Sequence, residues 1–372
     1  MNKNYDFRQY DIKLIFLLMT TTIMGILVIG SAKEAVQTKQ IVGFLLGLFL
    51  MVLISFFNYS TLLKLNWLMY FGNLVLLILV QLIGTSSNNA QRWIEIAGIR
   101  FQPSETAKIL LILFYAQFIM KNEEKLNTLG RLAACVLLIL PPWVLIIKQP
   151  DLSTSIVLLI LFAIIMFIGG VSKKIIIGLI AVMAPIVLIG LFLVVQPNQT
   201  IIKDYQQERI LAWIYPDKYK LGAAYQQDNS KIAIGSGMLL GKGLNNDDPD
   251  TVKNGNYISE PQTDFIFAII GEDMGFIGCS VFIILEVLIA LECFSVGRFA
   301  KDLAGRIICA GMGGLVLFQS FINISVATGL MPNTGLPLPF VSYGLTSLVS
   351  LYIGMGFVLN VGLQRSYPKG LY

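Results

Sequence analysis

The sequence predicts an all-α, polytopic integral membrane protein with about ten transmembrane helices and one large extracytoplasmic loop. Of its 372 residues, 56% are hydrophobic and only 13% are Asp, Glu, Lys or Arg, whereas a soluble domain has roughly 25% of such charged residues. Ten mainly apolar runs are close to the roughly 20 residues that a helix needs to cross a bilayer. These runs are apolar on every face, which excludes the alternating strands of a membrane β-barrel.

The candidate spans follow one another with short connections, except after the seventh. They are residues 14–30, 40–57, 67–84, 104–120, 132–147, 152–170, 175–195, 265–293, 307–328 and 345–363. Eight of them contain no charged residue. The fourth holds Glu105 and Lys108. The eighth is also charged, and we expect it to begin outside the membrane and to break near residues 271–273.

The distribution of basic residues predicts that both termini are cytoplasmic. In that orientation the cytoplasmic segments hold 14 lysines and arginines and the short outer loops hold 5, in agreement with the positive-inside rule. The loop at 196–264 is longer than the roughly 60 residues to which that rule applies. Residues 1–372 are predicted to form a single membrane domain. Polar residues and turn formers concentrate in its outer segments, so we expect any chemistry on that side.

The composition also excludes several kinds of site. The chain has no histidine, which removes Ser-His-Asp and Cys-His catalysis, His-ligated zinc and an imidazole base, so acid–base chemistry falls mainly to carboxylates. The four cysteines lie in or beside apolar runs without a C-x-x-C pair, and they are interpreted as small buried hydrophobic residues. A net charge of +5 without basic clusters gives no reason to expect nucleic acid as a partner.

The first outer segment contains several candidate functional residues. Arg92 and Trp93 are compatible with substrate contact, or with a simple interfacial anchor. Ser104 follows a proline and is expected to cap the fourth helix. Glu105 in the first turn is favoured by the helix dipole, and Lys108 shares its face. This pair is either a structural ion pair or part of a polar cavity, because an unpaired lysine at that depth is costly.

Two further outer loops contain candidate functional residues that a structural role would also explain. Asp151 follows a proline in a tight outer connection and is equally explained as a turn residue or helix cap. The long loop contains Arg209 and a glycine-rich run at 231–243 that includes Lys231 and Lys242. That run does not have the spacing of a phosphate-binding P-loop, so its glycines are expected to allow tight turns.

Asp264 ends the segment that joins the long loop to the eighth span. It lies with Glu260 and Thr263 at the boundary between water and an apolar helix. Loss of solvation there would raise the pKa of Asp264 toward that of a general base, although a neighbouring cation would oppose the shift. The alternative is that Asp264 caps the eighth helix.

An irregular segment precedes the last span. Three glycines and three prolines lie within the sixteen residues 329–344, which include Ser342 and Tyr343. Irregular backbone at membrane depth persists only where protein buries it or where it lines a cavity. We therefore expect this segment to form a wall of a substrate groove.

Together these stretches resemble the SEDS family, the polytopic bacterial proteins of shape, elongation, division and sporulation that polymerise peptidoglycan from lipid II. The matching segments, in chain order, are 92–93, 102–108, 148–151, 231–243, 263–265 and 332–344. Segments 148–151 and 232–237 are more similar to the elongation branch of the family than to the division branch. The chain departs from the family pattern at Gln262, where histidine is common, and at Ser153, Met238 and 344–347.

The resemblance implies a reaction at the outer face of the bacterial cytoplasmic membrane during cell elongation and shape maintenance. A GlcNAc 4-hydroxyl attacks the anomeric carbon of MurNAc, and undecaprenyl pyrophosphate leaves. By this resemblance Asp264 is the general base. The candidate substrate-binding residues are Arg92, Trp93, Glu105, Lys108, Asp151, Arg209, Lys231, Lys242, Glu260, Thr263, Ser342 and Tyr343. Among these, the cations are expected to bind the diphosphate.

The expected partners are lipid II, membrane lipids and a class B penicillin-binding protein, the transpeptidase that crosslinks the strands. The candidate cofactor is a divalent cation, Mg²⁺ or Mn²⁺, which carboxylate oxygens would bind and which would neutralise the diphosphate. The alternatives are a lipid II flippase and a non-catalytic scaffold for a penicillin-binding protein. The absence of formal charge from eight spans argues against transport across the bilayer.

Overall fold

The computed structural model describes residues 7–365 apart from 88–89, 97–98, 197–198, 200–201, 221 and 247. In this part of the chain the α-helices are α1 Ile12–Ala32, α2 Glu34–Ser55, α3 Tyr59–Leu62, α4 Asn66–Ile83, α5 Pro103–Lys121, α6 Leu129–Lys148, α7 Leu152–Ile168, α8 Lys173–Val195, α9 Asp204–Ile214, α10 Tyr225–Ser236, α11 Ile266–Arg298, α12 Leu303–Ala327 and α13 Leu345–Leu363. Short 3₁₀ turns cover Phe7–Gln9, Leu63–Leu65, Glu123–Lys125 and Pro216–Lys218.

A long helix lies at each of the ten predicted spans. Within the described residues, seven helical segments are long and apolar enough to cross a membrane, namely α1, α2, the combined α3–α4, α6, α11, α12 and α13, and α7 is a shorter apolar helix. The all-α, multi-pass membrane class is therefore confirmed, while the count of ten crossings stays a prediction. The four cysteines are free and buried, as expected.

Two parts of the loops have more structure than predicted. The first outer segment forms a small antiparallel sheet in the order β1 Thr85–Ser87, β2 Ala90–Ile96 and β3 Ile99–Phe101. Thr85 pairs with Trp93, and Ile94 pairs with Phe101. The long loop contributes the helices α9 and α10. These elements give the polar residues of the loops fixed positions.

α12 lies at the centre of the bundle, against α5, α7, α11 and α13. In the apolar stretch of α12, 78% of the residues are buried, against 22% in α6. α6 is therefore peripheral, and many of its apolar side chains are exposed. Small residues let neighbours approach α12 closely, as is usual between membrane helices. A Cβ at Gly311 would lie 2.8 Å from Ile112 on α5, and one at Gly314 would lie 2.6 Å from Ile164 on α7.

α11 is broken at Gly275, whose φ of 63° and ψ of −160° are not helical. The break lies two residues beyond the predicted position. The loop after α10 fills it, because Phe276 N donates to Met238 O at 2.9 Å and Lys242 N donates to Glu272 O at 2.9 Å. These contacts fix the long loop against α11, which begins two residues after Asp264.

Candidate functional site

The connecting segments meet at one end of the bundle around a cavity of about 590 Å³. β2, the turn before α7, α9, the start of α11 and the irregular segment before α13 all contribute to its lining. Nine of the predicted site residues line it: Arg92, Trp93, Glu105, Asp151, Arg209, Glu260, Thr263, Asp264 and Tyr343. The irregular segment forms a cavity wall, as predicted.

The backbone before α11 is held by three hydrogen bonds. The successive carbonyls of residues 262–264 accept from Tyr343 N at 2.8 Å, Ser342 Oγ at 2.6 Å and Asn323 Nδ2 at 2.9 Å. Ser342 is buried behind the wall and acts on this backbone rather than facing the cavity. The position of Asp264 is therefore set by α12 and by the irregular segment.

The Asp264 carboxyl faces the cavity and is half-buried. Phe265, not Asp264, occupies the N-cap of α11, and this position makes no side-chain capping hydrogen bond, so the alternative that Asp264 is a helix cap is wrong. No described residue donates a hydrogen bond to the carboxyl oxygens of Asp264. Gly335, at a φ of +73°, lies against them, and a Cβ there would be 3.2 Å from Oδ2.

Burial raises the pKa of the Asp264 carboxyl, because the surrounding protein disfavours its charged form. The guanidinium groups of Arg209 and Arg92 oppose this shift, and the carboxylates of Asp151 and Glu260 add to it. The carboxyl is partly open to the cavity but is otherwise surrounded by protein, so loss of solvation is the largest effect on its pKa. The result is a carboxyl with the electrostatic setting of a general base.

Arg209 lies on α9, where its guanidinium is 5.8 Å from the ring centroid of Tyr205. The Tyr205 hydroxyl donates to Pro150 O at 3.3 Å and so ties α9 to the turn before α7. Burial lowers the pKa of Arg209, and Asp264 opposes that change. Within the described residues, no hydrogen bond or ion pair engages this guanidinium. Its donors are therefore available to an anionic ligand.

Arg92 has a different setting, although it lines the same cavity. Its guanidinium donates to Gln149 O at 3.3 Å and to Pro150 O, and lies 3.8 Å from Asp151 Oδ1. Asp151 in turn caps α7 by accepting from Thr154 N at 3.1 Å. Arg92 thus holds the turn that precedes α7, and Asp151 is a helix cap that also faces the cavity.

α5 supplies a buried ion pair below the cavity. Lys108 Nζ donates to Glu105 Oε1 at 2.8 Å and to Gln319 Oε1 at 2.8 Å, and Lys108 is only 1% exposed. Glu105 orients Lys108 as expected, but only Glu105 reaches the cavity surface. The expectation that Ser104 caps α5 is wrong. Gln102 occupies the N-cap and makes no capping hydrogen bond, and Ser104 Oγ donates instead to Asp151 Oδ2 at 3.4 Å.

The remaining predicted cations lie outside the cavity lining. Lys231 pairs with Asp228 at 2.6 Å and Lys242 pairs with Glu272 at 2.9 Å. Arg100 on β3, which the sequence reasoning missed, does line the cavity. Only its nearness to the start of the fourth span could have indicated it.

A preformed metal site is absent from the described residues, since they contain no group of three acidic or cysteine side chains able to hold an ion. Binding of Mg²⁺ or Mn²⁺ by carboxylate oxygens stays a prediction.

A sequence model of the FtsW/RodA/SpoVE cell cycle proteins matches residues 9–367 of the chain. The chain belongs to this family. The predicted family resemblance is thus confirmed over nearly the whole length.

Individual relatives agree with this assignment. The chain is 31% identical to the peptidoglycan glycosyltransferase MrdB of Escherichia coli K12, over 97% of this chain and 95% of the relative. It is also 31% identical to the probable peptidoglycan glycosyltransferase FtsW of Geobacter sulfurreducens, over 96% of both chains.

Two solved structures share the fold. One is a chain of a peptidoglycan synthase complex that coordinates polymerization and crosslinking, with a TM-score of 0.79, 29% identity, and coverage of 95% of this chain and 97% of that one. The other is the rod shape determining protein RodA of Thermus thermophilus, with a TM-score of 0.71, 28% identity, and coverage of 96% and 98%.

Proposed function

We propose that this member of the FtsW/RodA/SpoVE family is a peptidoglycan glycosyltransferase that polymerises lipid II during cell elongation. Relatives named for that activity align over nearly the whole chain. The observation that carries the residue assignment is a half-buried Asp264 carboxyl that faces the cavity beside Arg209, whose guanidinium no described residue engages in a hydrogen bond or ion pair.

In the proposed reaction, Asp264 accepts the proton of the GlcNAc 4-hydroxyl as its oxygen attacks the anomeric carbon of MurNAc. The new glycosidic bond forms while the bond from that carbon to the diphosphate oxygen breaks. Undecaprenyl pyrophosphate then leaves with both electrons of the broken bond. A positioned general base contributes about 10²- to 10⁴-fold to such a step.

Arg209 is the proposed main cation for the diphosphate, because its donors are not engaged by described residues. A preorganised cation at the position where negative charge develops stabilises the transition state without reorganisation. Arg100 lines the same cavity and adds positive charge. Arg92 and Lys108 support the site indirectly in this proposal, since carbonyls engage the former and Glu105 the latter.

Trp93 and Tyr343 are the proposed contacts for sugar rings, with Thr263 and Glu260 at the same surface. Burial raises the pKa of the Tyr343 hydroxyl, and Arg100 opposes that rise, so this group stays a neutral hydrogen-bond donor at physiological pH. A neutral hydroxyl beside an aromatic ring suits a sugar, which presents both apolar faces and hydroxyls.

The proposed setting is the bacterial cytoplasmic membrane, with both termini in the cytoplasm and the cavity on the outer side. The bias of basic residues supports this orientation. A class B penicillin-binding protein is the proposed partner, because a similar chain belongs to a complex that combines polymerization with crosslinking. We also propose that residues 1–372 act as one membrane domain, with 196–264 as its extracytoplasmic loop. The use of Mg²⁺ or Mn²⁺ stays a prediction.

The test is incubation of the purified, membrane-reconstituted chain with labelled lipid II, with chain length as the readout. Glycan strands made by the wild type and not by Asp264→Asn are expected. Normal cell shape and growth supported by Asp264→Ala would favour a non-catalytic scaffold, and lipid II movement across vesicles without polymer would favour a flippase.

A further inference from the structure

α12 carries a polar face within its apolar sequence. Gln319 and Asn323 are four residues apart, so their side chains lie on the same face of the helix. Both are buried, with 0% and 1% exposure. Polar side chains inside a membrane helix are costly unless they are paired. The groups with which they pair therefore indicate their purpose.

Asn323 Nδ2 donates to Asp264 O at 2.9 Å and to Leu336 O at 2.6 Å. One amide thus bridges the backbone of Asp264, the proposed base, and the irregular segment beside Gly335. Since no described residue donates to the Asp264 carboxyl, its position depends on this backbone.

Gln319 extends the same arrangement by one helical turn. Its Nε2 donates to Pro337 O at 2.9 Å, and its Oε1 accepts from Lys108 Nζ at 2.8 Å. The wall is therefore held at two successive carbonyls by two amides on one rigid helix. Through Gln319 the same helix holds Lys108, whose partner Glu105 lines the cavity.

We propose that Gln319 and Asn323 are positioning residues, which fix Asp264 relative to Gly335 in the irregular segment and to the Glu105–Lys108 pair. This inference rests on the proposed function, in which Asp264 is the base. It assigns a role in the reaction to two membrane-buried amides that do not themselves line the cavity.

The test replaces Asn323 with leucine, which has a similar volume and no donor. Asn323→Leu is expected to lower kcat for lipid II polymerisation by about 10- to 100-fold, because misplacement of a reacting group by about 1 Å costs on the order of 10²-fold. KM should change less than about threefold, since Arg209 and Arg100, the cations proposed for the diphosphate, are unchanged. The acid limb of the pH–rate profile should also move, because the carboxyl changes its distance from Arg209.

The matched control is Asn360→Leu. Asn360 lies on α13, away from the cavity lining, and is also fully buried. It too bridges backbone groups, because it donates to Ser55 O at 2.6 Å and accepts from Tyr59 N at 2.8 Å. Its loss should lower thermal stability as Asn323→Leu does, yet leave kcat within about twofold and the pH profile in place.

Hydrogen exchange provides a readout that does not depend on activity. Backbone amides at 262–265 and at 333–338, apart from Pro337, should exchange at least about tenfold faster in Asn323→Leu and at the wild-type rate in Asn360→Leu. Wild-type kcat in Asn323→Leu, or unchanged exchange in both segments, would overturn the inference. A wild type that makes no polymer would refute the proposed function, and the exchange rates would still decide whether Asn323 positions Asp264.

Discussion

Gly335→Ala is a small change with a calculable effect on the proposed base. The added Cβ would lie 3.2 Å from Asp264 Oδ2, closer than ordinary van der Waals contact, so the carboxyl must move by a few tenths of an ångström. If a displacement of about 1 Å costs on the order of 10²-fold, a shift of roughly 0.2–0.5 Å lowers kcat by about 3- to 10-fold. The φ of +73° adds a backbone cost of about 1–2 kcal/mol for any residue with a Cβ.

The assay compares lipid II polymerisation and thermal unfolding for Gly335→Ala and for Gly170→Ala. Gly170 has a φ of +91° and no atom within 4 Å of a built Cβ, so it has the same backbone cost without a contact. Both variants should lose similar stability, and only Gly335→Ala should lose kcat. Equal kcat in the two variants would refute the placement of the Asp264 carboxyl against this wall.

Three further predictions concern the charged groups. Arg209→Gln removes the cation that most opposes the raised pKa of Asp264, so that pKa should rise further and activity should be lost at a higher pH. A pH–rate profile whose acid midpoint is unchanged or lower would contradict the effect of Arg209 on Asp264. Lys108→Met should destabilise the protein by about 3–5 kcal/mol, because it leaves the buried Glu105 charge unpaired. Thermal unfolding should show that the double variant Lys108→Met/Glu105→Gln regains much of the lost stability. Lys231→Ala should leave kcat within about twofold in the polymerisation assay, and a tenfold loss would place Lys231 in the diphosphate site.

The membrane helices could be predicted well because a bilayer imposes a simple composition rule on each span. The span predicted at 14–30 is Ile12–Ala32, and the one at 345–363 is Leu345–Leu363. Errors occur mainly at the ends, where polar residues continue a helix beyond its apolar run, as in α11, which extends to Arg298. The sheet and the two loop helices were missed because short polar elements lack a strong periodic signal.

The sequence allowed the candidate site residues to be predicted, but not the residues that each of them contacts. Asp264 and Arg209 meet in one cavity although 55 positions separate them along the chain, and no local pattern specifies that approach. Lys242 has the same charge as Arg209 but pairs with Glu272 at the break of α11. The roles of Gln319 and Asn323 were not predicted, because amides within an apolar helix have no motif that indicates their hydrogen bonds.

The most direct test of the central claim is the rate of glycan synthesis by reconstituted Asp264→Asn with labelled lipid II. Three hydrogen bonds to backbone carbonyls hold this segment, so the variant should fold, and its rate should fall by about 10²- to 10⁴-fold. Asp217→Asn, which changes a carboxylate of the same loop with 86% side-chain exposure, should keep the wild-type rate. Polymerisation by folded Asp264→Asn within about twofold of the wild type would contradict the account.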